Sequence, residues 1–383
     1  MTESVRAAHQ AFRKARFFPA LDGLRALSIL AVIWHHAGGE GAPGALSRGF
    51  HGVSLFFAIS GFLITTLLLR EQDAHGQISL SKFYLRRTLR IFPLYYVVLG
   101  LYVALVLLVD RHSAAGAGFF SNLPYFLTYT SNWFVERDAG ARVIFYFAWS
   151  LATEEQFYLV WPSVVRFARR WWAPAAVMAV LLTAHLAGVW AVSAGVVSGA
   201  SLPMRILSSV ATPICLGCLA AYLTHRQRGF AVAWRIAGHR ASAPLAFAVM
   251  VAALSLDGVP DLLIAVSMTW LVVAVCVRAD HWLMPPLANA PMRHIGTVSY
   301  GMYLMHMLAM NVVSRAIPGA GGLVRFLGAS VLVVGMASAS YYLFEKRILE
   351  WKERLMGRGK PADPEPATPT VTATTAQVSA RLP

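Results

Sequence analysis

Ten stretches of mostly apolar residues, separated by short polar or charged connections, run along the chain near positions 20–38, 52–70, 91–110, 145–165, 173–196, 202–223, 243–256, 259–278, 296–315 and 322–344. A bilayer core requires about 20 apolar residues per helix. Each stretch is therefore a candidate membrane span, the seventh being the shortest. The pattern predicts an all-α integral membrane protein of about ten transmembrane helices.

Composition agrees. Of 383 residues, 57% are hydrophobic and only 13% charged, with a mean hydropathy of +0.57, too apolar for an ordinary water-soluble domain. The net charge of +15 raises the question of nucleic acid. The basic residues instead gather in short clusters between apolar stretches, the distribution expected of cytoplasmic loops, and nucleic acid is not an expected partner. With the N-terminus inside, Lys82/Arg86/Arg87/Arg90, Arg166/Arg169/Arg170, Arg226/Arg228/Arg235/Arg240 and Lys346/Arg347/Lys352/Arg354 all fall on the cytoplasmic side. The short opposite connections hold Arg48 and little else, with Arg205 and Arg315 as exceptions near the outer ends of their spans, and the long one over 111–144 is mixed in charge. Both termini are thus expected inside.

Residues 1–17 read as a cytoplasmic leader bearing Arg6, Arg13, Lys14 and Arg16, residues 18–356 as the membrane domain, and residues 357–383 as a disordered cytoplasmic tail rich in Pro, Ala and Thr. The outer connection over 111–144 is long enough for a lid or an acceptor surface, and equally for a plain loop. Cys215, Cys218 and Cys276 all lie in apolar stretches, so Cys215 and Cys218 read as buried small residues rather than a redox pair. No inverted repeat of the transporter kind is visible.

Ionisable residues inside spans are costly and mark candidate chemistry. In LDGLRALSILAVIWHHAG, Arg25 and His36 are eleven positions apart, about three turns plus 20°, so they share a helix face and differ in depth by roughly 16 Å. His35 is displaced from Arg25 by about 80°. The competing reading has Arg25 snorkelling at the inner edge and His36 marking the outer interface. In FAWSLATEEQFYLVWP, Glu154 and Glu155 are adjacent within an apolar, aromatic segment. Glu155 precedes Arg166 by eleven residues, which places it near the depth of His36 and suggests a His36–carboxylate pair; a helix-to-helix polar tie is the alternative. In GTVSYGMYLMH, Ser299, Tyr303 and His306 form one polar stripe. That stripe either lines the same cavity or bonds locally, the reading favoured for Ser299. Ser60 and Gly61 lie mid-span, where a small pair more often serves close helix packing than nucleophilic attack. Arg86, Arg87 and Arg90 act either as topology anchors or as clamps for a donor's phosphates.

Taken in order, LDGLRALSILAVIWHH, GVSLFFAISGFLI, FYLRRTLRIFPLYY, WSLATEEQFYLVWP, GTVSYGMYLMH and SYYLFEKR resemble the acyltransferase-3 family of membrane acyltransferases, from about Phe17 to Leu349. The resemblance implies O-acylation of a carbohydrate or other hydroxylated metabolite, with acyl-CoA, often acetyl-CoA, as co-substrate and no metal. It also implies a multi-pass protein of a bacterial inner (plasma) membrane, with membrane lipids around it. The family's arginine–histidine pair corresponds to Arg25 and His36, its Glu-Glu pair to Glu154 and Glu155, and its arginine-rich motif to Arg86, Arg87 and Arg90. Departures are small: Ala152 and Thr153 stand where Ser-Val is expected, and Lys346-Arg347 where Arg-Pro is usual.

Acyl transfer to an alcohol needs a base for the hydroxyl proton, and histidine suits that task near neutrality. His36 is the expected base, Glu155 or less readily Glu154 its orienter, and the inner-face arginines the donor clamp. Arg25 either contacts the donor or pairs with Asp22. Tyr303, His306 and Ser60 are candidate substrate-binding residues, with Ser60 and Tyr303 the weaker candidates for an acyl-enzyme nucleophile. The acceptor stays open between a small diffusible molecule, such as a macrolide or other glycosylated metabolite, and a lipid-linked glycan. A transporter or acyl exporter with an intramembrane His/Glu relay is the rival class.

Overall fold

The structure, a computed structural model, describes residues 2–15, 17–136 and 143–355. The tail at 357–383, Arg16 and residues 137–142 of the outer connection lie outside the described residues. Helices account for every element: α1 (Glu3–Lys14), α2 (Pro19–His36), α3 (His51–His75), α4 (Leu80–Leu105), α5 (Ala114–Leu127), α6 (Ser131–Phe134), α7 (Ala148–Phe167), α8 (Ala173–Ser193), α9 (Leu202–Ser208), α10 (Thr212–His225), α11 (Gln227–Ala237), α12 (Ser242–Ser255), α13 (Asp261–Val277), α14 (Met284–Ala288), α15 (Ala290–Ala316), α16 (Gly322–Ser340) and α17 (Lys346–Leu355). Among the described residues there is no strand. Short π-helical segments, Val106–Asp110 and Tyr341–Glu345, extend α4 and join α16 to α17.

Each apolar stretch of the sequence falls on helix, but they do not all behave alike. Among the described residues four continuous helices are long and apolar enough to cross a membrane, at His51–His75, Leu80–Asp110, Ala173–Ser193 and Gly322–Trp351, and up to seven spans result if each of three bent pairs counts as one. The sixth stretch is one of those pairs: α9 and α10 meet at 50°. Pro213 supplies the reason, because a proline lacks the N–H of a continuous helix and disfavours helical geometry just before it. Charged and polar residues dilute the apolar character of α7 and α15, which carry the candidate chemistry.

Among the described residues six helices had no counterpart among the expected spans: α1, α5, α6, α11, α14 and α17. In the outer connection α5 is capped by Ser113, whose Oγ accepts from the Gly116 N–H at 2.9 Å. The amphipathic α1 and α11 sit at sharp bends, 66° to α2 and 71° to α12, and pack on each other through Phe12 and Phe230.

The core encloses α2, α3, α7, α10 and α15, and α8 and α16 lie outermost with mostly exposed apolar faces, as expected of helices against lipid. Glycines on both sides allow close approach where α3 crosses α10. A Cβ on Gly61 would sit 2.2 Å from the Ile214 carbonyl oxygen, and one on Gly217 would sit 2.5 Å from that of Ala58. Cys218 fills the same seam, its Sγ 3.6 Å from the Gly61 carbonyl, and all three cysteines are buried and free. Gly61→Ala should therefore force the helices apart at a cost of about 1–3 kcal/mol. Its thermal midpoint in detergent should fall by several degrees. Gly100→Ala, where a Cβ meets nothing within 4 Å, should leave the midpoint unchanged or raise it slightly. Equal midpoints for the two variants would remove the packing account.

At the basic end of the bundle the turns are tied together. Asp280 accepts from Arg278 and Arg240, whose hydrogen bonds hold its carboxyl down at about 2.

Candidate active site

α2 brings Arg25 and His36 onto one face, as their spacing requires, and they open into two different chambers. The first, about 990 Å³, is lined by His35 and His36 at the end of α2, His51 and Ser54 at the start of α3, and aromatic residues including Trp133, Tyr146 and Trp149. The second, about 100 Å³, is lined by Arg25, Arg87, Arg90, Ser60, Glu154, Glu155, Tyr158, Ser299 and Tyr300. Val53, Phe57 and Tyr303 line both, so the chambers adjoin there.

In the larger chamber His36 is half-buried, and its Nδ1 lies 2.9 Å from the Val32 carbonyl one turn back. A carbonyl only accepts, so the proton resides on Nδ1 and Nε2 carries the lone pair. The expected His36–carboxylate pair is not formed: neither Glu154 nor Glu155 contacts the ring, whose neighbours are His35, Tyr146 and His306, with centroids at 5.1, 5.8 and 5.0 Å. The error was one of depth. Arg25 already lies about 9 Å into α2, whereas Arg166 reaches outward from α7 to the Ile78 carbonyl in the connection before α4. Taking the two arginines as level placed Glu155 too near His36.

His306 is fully buried beside His36. Its Nδ1 donates to the Tyr303 carbonyl at 2.5 Å, and its Nε2 has no hydrogen-bond partner among the described residues. Tyr303 sits at the junction, its hydroxyl 2.6 Å from Ser150 Oγ and 3.2 Å from the Phe147 carbonyl. Just before α7, Phe145 adopts φ = 66°, a conformation rare for a bulky residue. The turn it makes sets Phe147 and Ser150 against Tyr303.

Asn132 of the outer connection lines the larger chamber, and behind it stands Gln156, which sequence reasoning passed over. Asn132 and Gln156 exchange reciprocal amide hydrogen bonds at 2.9 Å, and Gln156 also donates to the Tyr129 carbonyl at 2.8 Å. This pins α6 to α7. Gln156 follows the Glu pair directly, and its polar side chain in an apolar span was the available signal.

The smaller chamber is ionic. Glu154 accepts from the hydroxyls of Ser60 and Tyr158, so Ser60 serves that carboxylate as a donor. Ser299 bonds its own helix at the Gly296 carbonyl, 2.8 Å away. Arg25 pairs with Asp22 at 2.9 Å and still lines the chamber. Arg87 lies 4.2 Å above the Tyr158 ring, and Arg90 forms no ion pair among the described residues. Arg86 turns away: it pairs with Glu71 at 3.2 Å, whose other oxygen accepts the Ser79 N–H. Two of the three clustered arginines, joined by Arg25, therefore converge on the carboxylates. Guanidinium forks converging on one space can hold phosphates bidentately, and a histidine with a free lone pair can take a proton from a hydroxyl. Among the described residues no group of three or more His, Cys, Asp or Glu side chains is disposed to hold a metal ion.

Comparison with known proteins bears on what this arrangement is. The chain is 30% identical to the peptidoglycan O-acetyltransferase OatA of Listeria monocytogenes over 76% of its own length and 49% of the relative's. It is 28% identical to the putative peptidoglycan O-acetyltransferase YrhL of Bacillus subtilis, covering 88% of this chain and 58% of that one. A putative O-acetyltransferase of Staphylococcus aureus is 37% identical over 40% of this chain and 26% of its own. The matched region thus spans between about a quarter and somewhat over half of each relative. No solved structure matches. A family model described as an acyltransferase domain matches residues 18–344, nearly all of the described helices, and the chain belongs to that acyltransferase-3 family.

Proposed function

We propose that the chain moves an acyl group, acetyl by default, from acyl-CoA to a hydroxyl of a carbohydrate or glycosylated metabolite. The observation that carries this reading is the junction at Val53, Phe57 and Tyr303 between a guanidinium-lined chamber and a larger aromatic one that holds His36. The basic clusters support a topology with ten spans in a bacterial plasma membrane, both termini inside and the small chamber facing the cytoplasm. Arg25, Arg87 and Arg90 then hold the donor's phosphates while its thioester arm reaches the junction. The acceptor hydroxyl enters from the large chamber, His36 Nε2 takes its proton, the oxygen attacks the thioester carbonyl, and coenzyme A leaves as the thiol. The names of the relatives support a glycan acceptor. Aromatic rings and the Asn132 amide along the large chamber suit a sugar, whose faces stack and whose hydroxyls need donors and acceptors.

The test is coenzyme A release by purified protein in liposomes, given acetyl-CoA and a panel of glycan, lipid-linked glycan and macrolide acceptors. Release that depends on one acceptor, with acyl ester formed in equal amount, is the expected result. Acyl or acceptor flux across the bilayer without thiol release would replace the reading with that of a transporter.

A further inference from the structure

A second basic cavity lies apart from both chambers, at the end of the bundle where α2 begins and α3 and α10 finish. It measures about 420 Å³ and is lined by Arg6, His9 and Arg13 of α1, Asp73 near the end of α3, and His225 and Arg226 at the α10–α11 joint. Three guanidinium groups there face one carboxylate. Asp73 is already engaged, accepting from Arg13 and from His225 Nε2 at 2.9 Å. His9 Nε2 is 3.0 Å from the His225 carbonyl, which locks α1 onto the joint. Arg6 has no ion pair among the described residues, so the cavity holds uncompensated positive charge.

Its surroundings say what kind of anion fits. Arg226 lies 4.5 Å above the Trp171 ring, and Trp171 is 57% exposed, with Trp172 beside it at 46%. Exposed indoles at the end of a span belong at headgroup depth. The helix that starts at this joint, α11, buries Phe230, Ala233 and Ala237 in the protein, and on another face exposes Val232 and Ile236. A helix apolar on both a protein-facing and an exposed side, bent 71° from the next, fits one lying in the membrane interface. We propose that this cavity binds a phosphate group, and specifically the headgroup phosphate of an anionic phospholipid, which would clamp α1 and α11 to the bundle. Nothing in this reading depends on the transfer reaction.

Native mass spectrometry of the full chain in detergent tests it, with phosphatidylglycerol, phosphatidylcholine and inorganic phosphate titrated separately and in competition. Arg6→Gln is the informative variant, because Arg6 is exposed and unpaired and its loss leaves the fold intact. Arg226→Gln and the double variant extend the series, and Arg111→Gln, at the far end of α4, is the control. One phosphatidylglycerol should be retained in preference to phosphatidylcholine. Its affinity should fall about fivefold with each pocket arginine removed and stay unchanged in Arg111→Gln. Equal retention by wild type and the double variant would overturn the site. Inorganic phosphate binding as tightly as phosphatidylglycerol, with the same arginine dependence, would overturn the lipid as occupant.

Discussion

Replacing His36 with alanine is expected to lower acceptor-dependent coenzyme A release by about 10²–10⁴-fold, the range for loss of a general base, with little change in thermal midpoint. The expectation follows from the tautomer. The Val32 carbonyl holds the Nδ1 proton, so Nε2 is the only ring position free to accept a proton, and the ring lines the larger chamber. His306 cannot substitute, because it is fully buried and does not line that chamber. Since the carboxylates do not touch the imidazole, Glu155→Gln should act through the donor side instead, and its loss should combine independently with that of His36→Ala. Release by His36→Ala within threefold of wild type, at matched acceptor concentration, would discard His36 as base. Strong coupling between the His36 and Glu155 substitutions would restore the direct carboxylate–histidine pair.

What could be read from sequence followed from which properties travel along one helix. All ten apolar stretches fall on helix because run length is a local property, though the described helices long and apolar enough to span number four, or up to seven with the bent pairs, and Arg25 and His36 were rightly put on one face of α2 because a helix has a fixed period. Relations between helices were less legible. The depth of Glu155 had to be measured from Arg166 on another helix, and the Ile78 contact that shifts that arginine is a long-range one. The group that orients His36 is a backbone carbonyl of its own helix, invisible to a search for acidic partners. Arg86 and Arg87 are both near neighbours of Arg90 on α4, at i+4 and i+3, and only Glu71 across the α3–α4 turn shows which of them is occupied. The amphipathic α1 and α11 escaped a search for 20-residue apolar runs because they do not cross the bundle. Their protein-facing apolar residues pack against each other and α13.

That division of the arginines leads to the second large effect. Arg90→Gln is expected to raise the KM for acetyl-CoA by about 10–100-fold, the loss expected when a charged hydrogen-bonding group is removed from a phosphate, with a smaller effect on kcat and little on the acceptor's KM. Arg90→Lys should recover only part of the loss, since an ammonium keeps the charge but not the planar fork. Arg86→Gln should leave the donor KM within about threefold of wild type, because its guanidinium is committed to Glu71 and lies outside the chamber. Initial rates over a matrix of donor and acceptor concentrations separate the two arginines. An Arg86→Gln defect equal to that of Arg90→Gln, or an Arg90→Gln defect confined to the acceptor's KM, would mean that the small chamber does not receive the donor. The division of labour between the chambers would then have to be reversed: the donor would occupy the histidine side, and the carboxylates with their three arginines would face the acceptor.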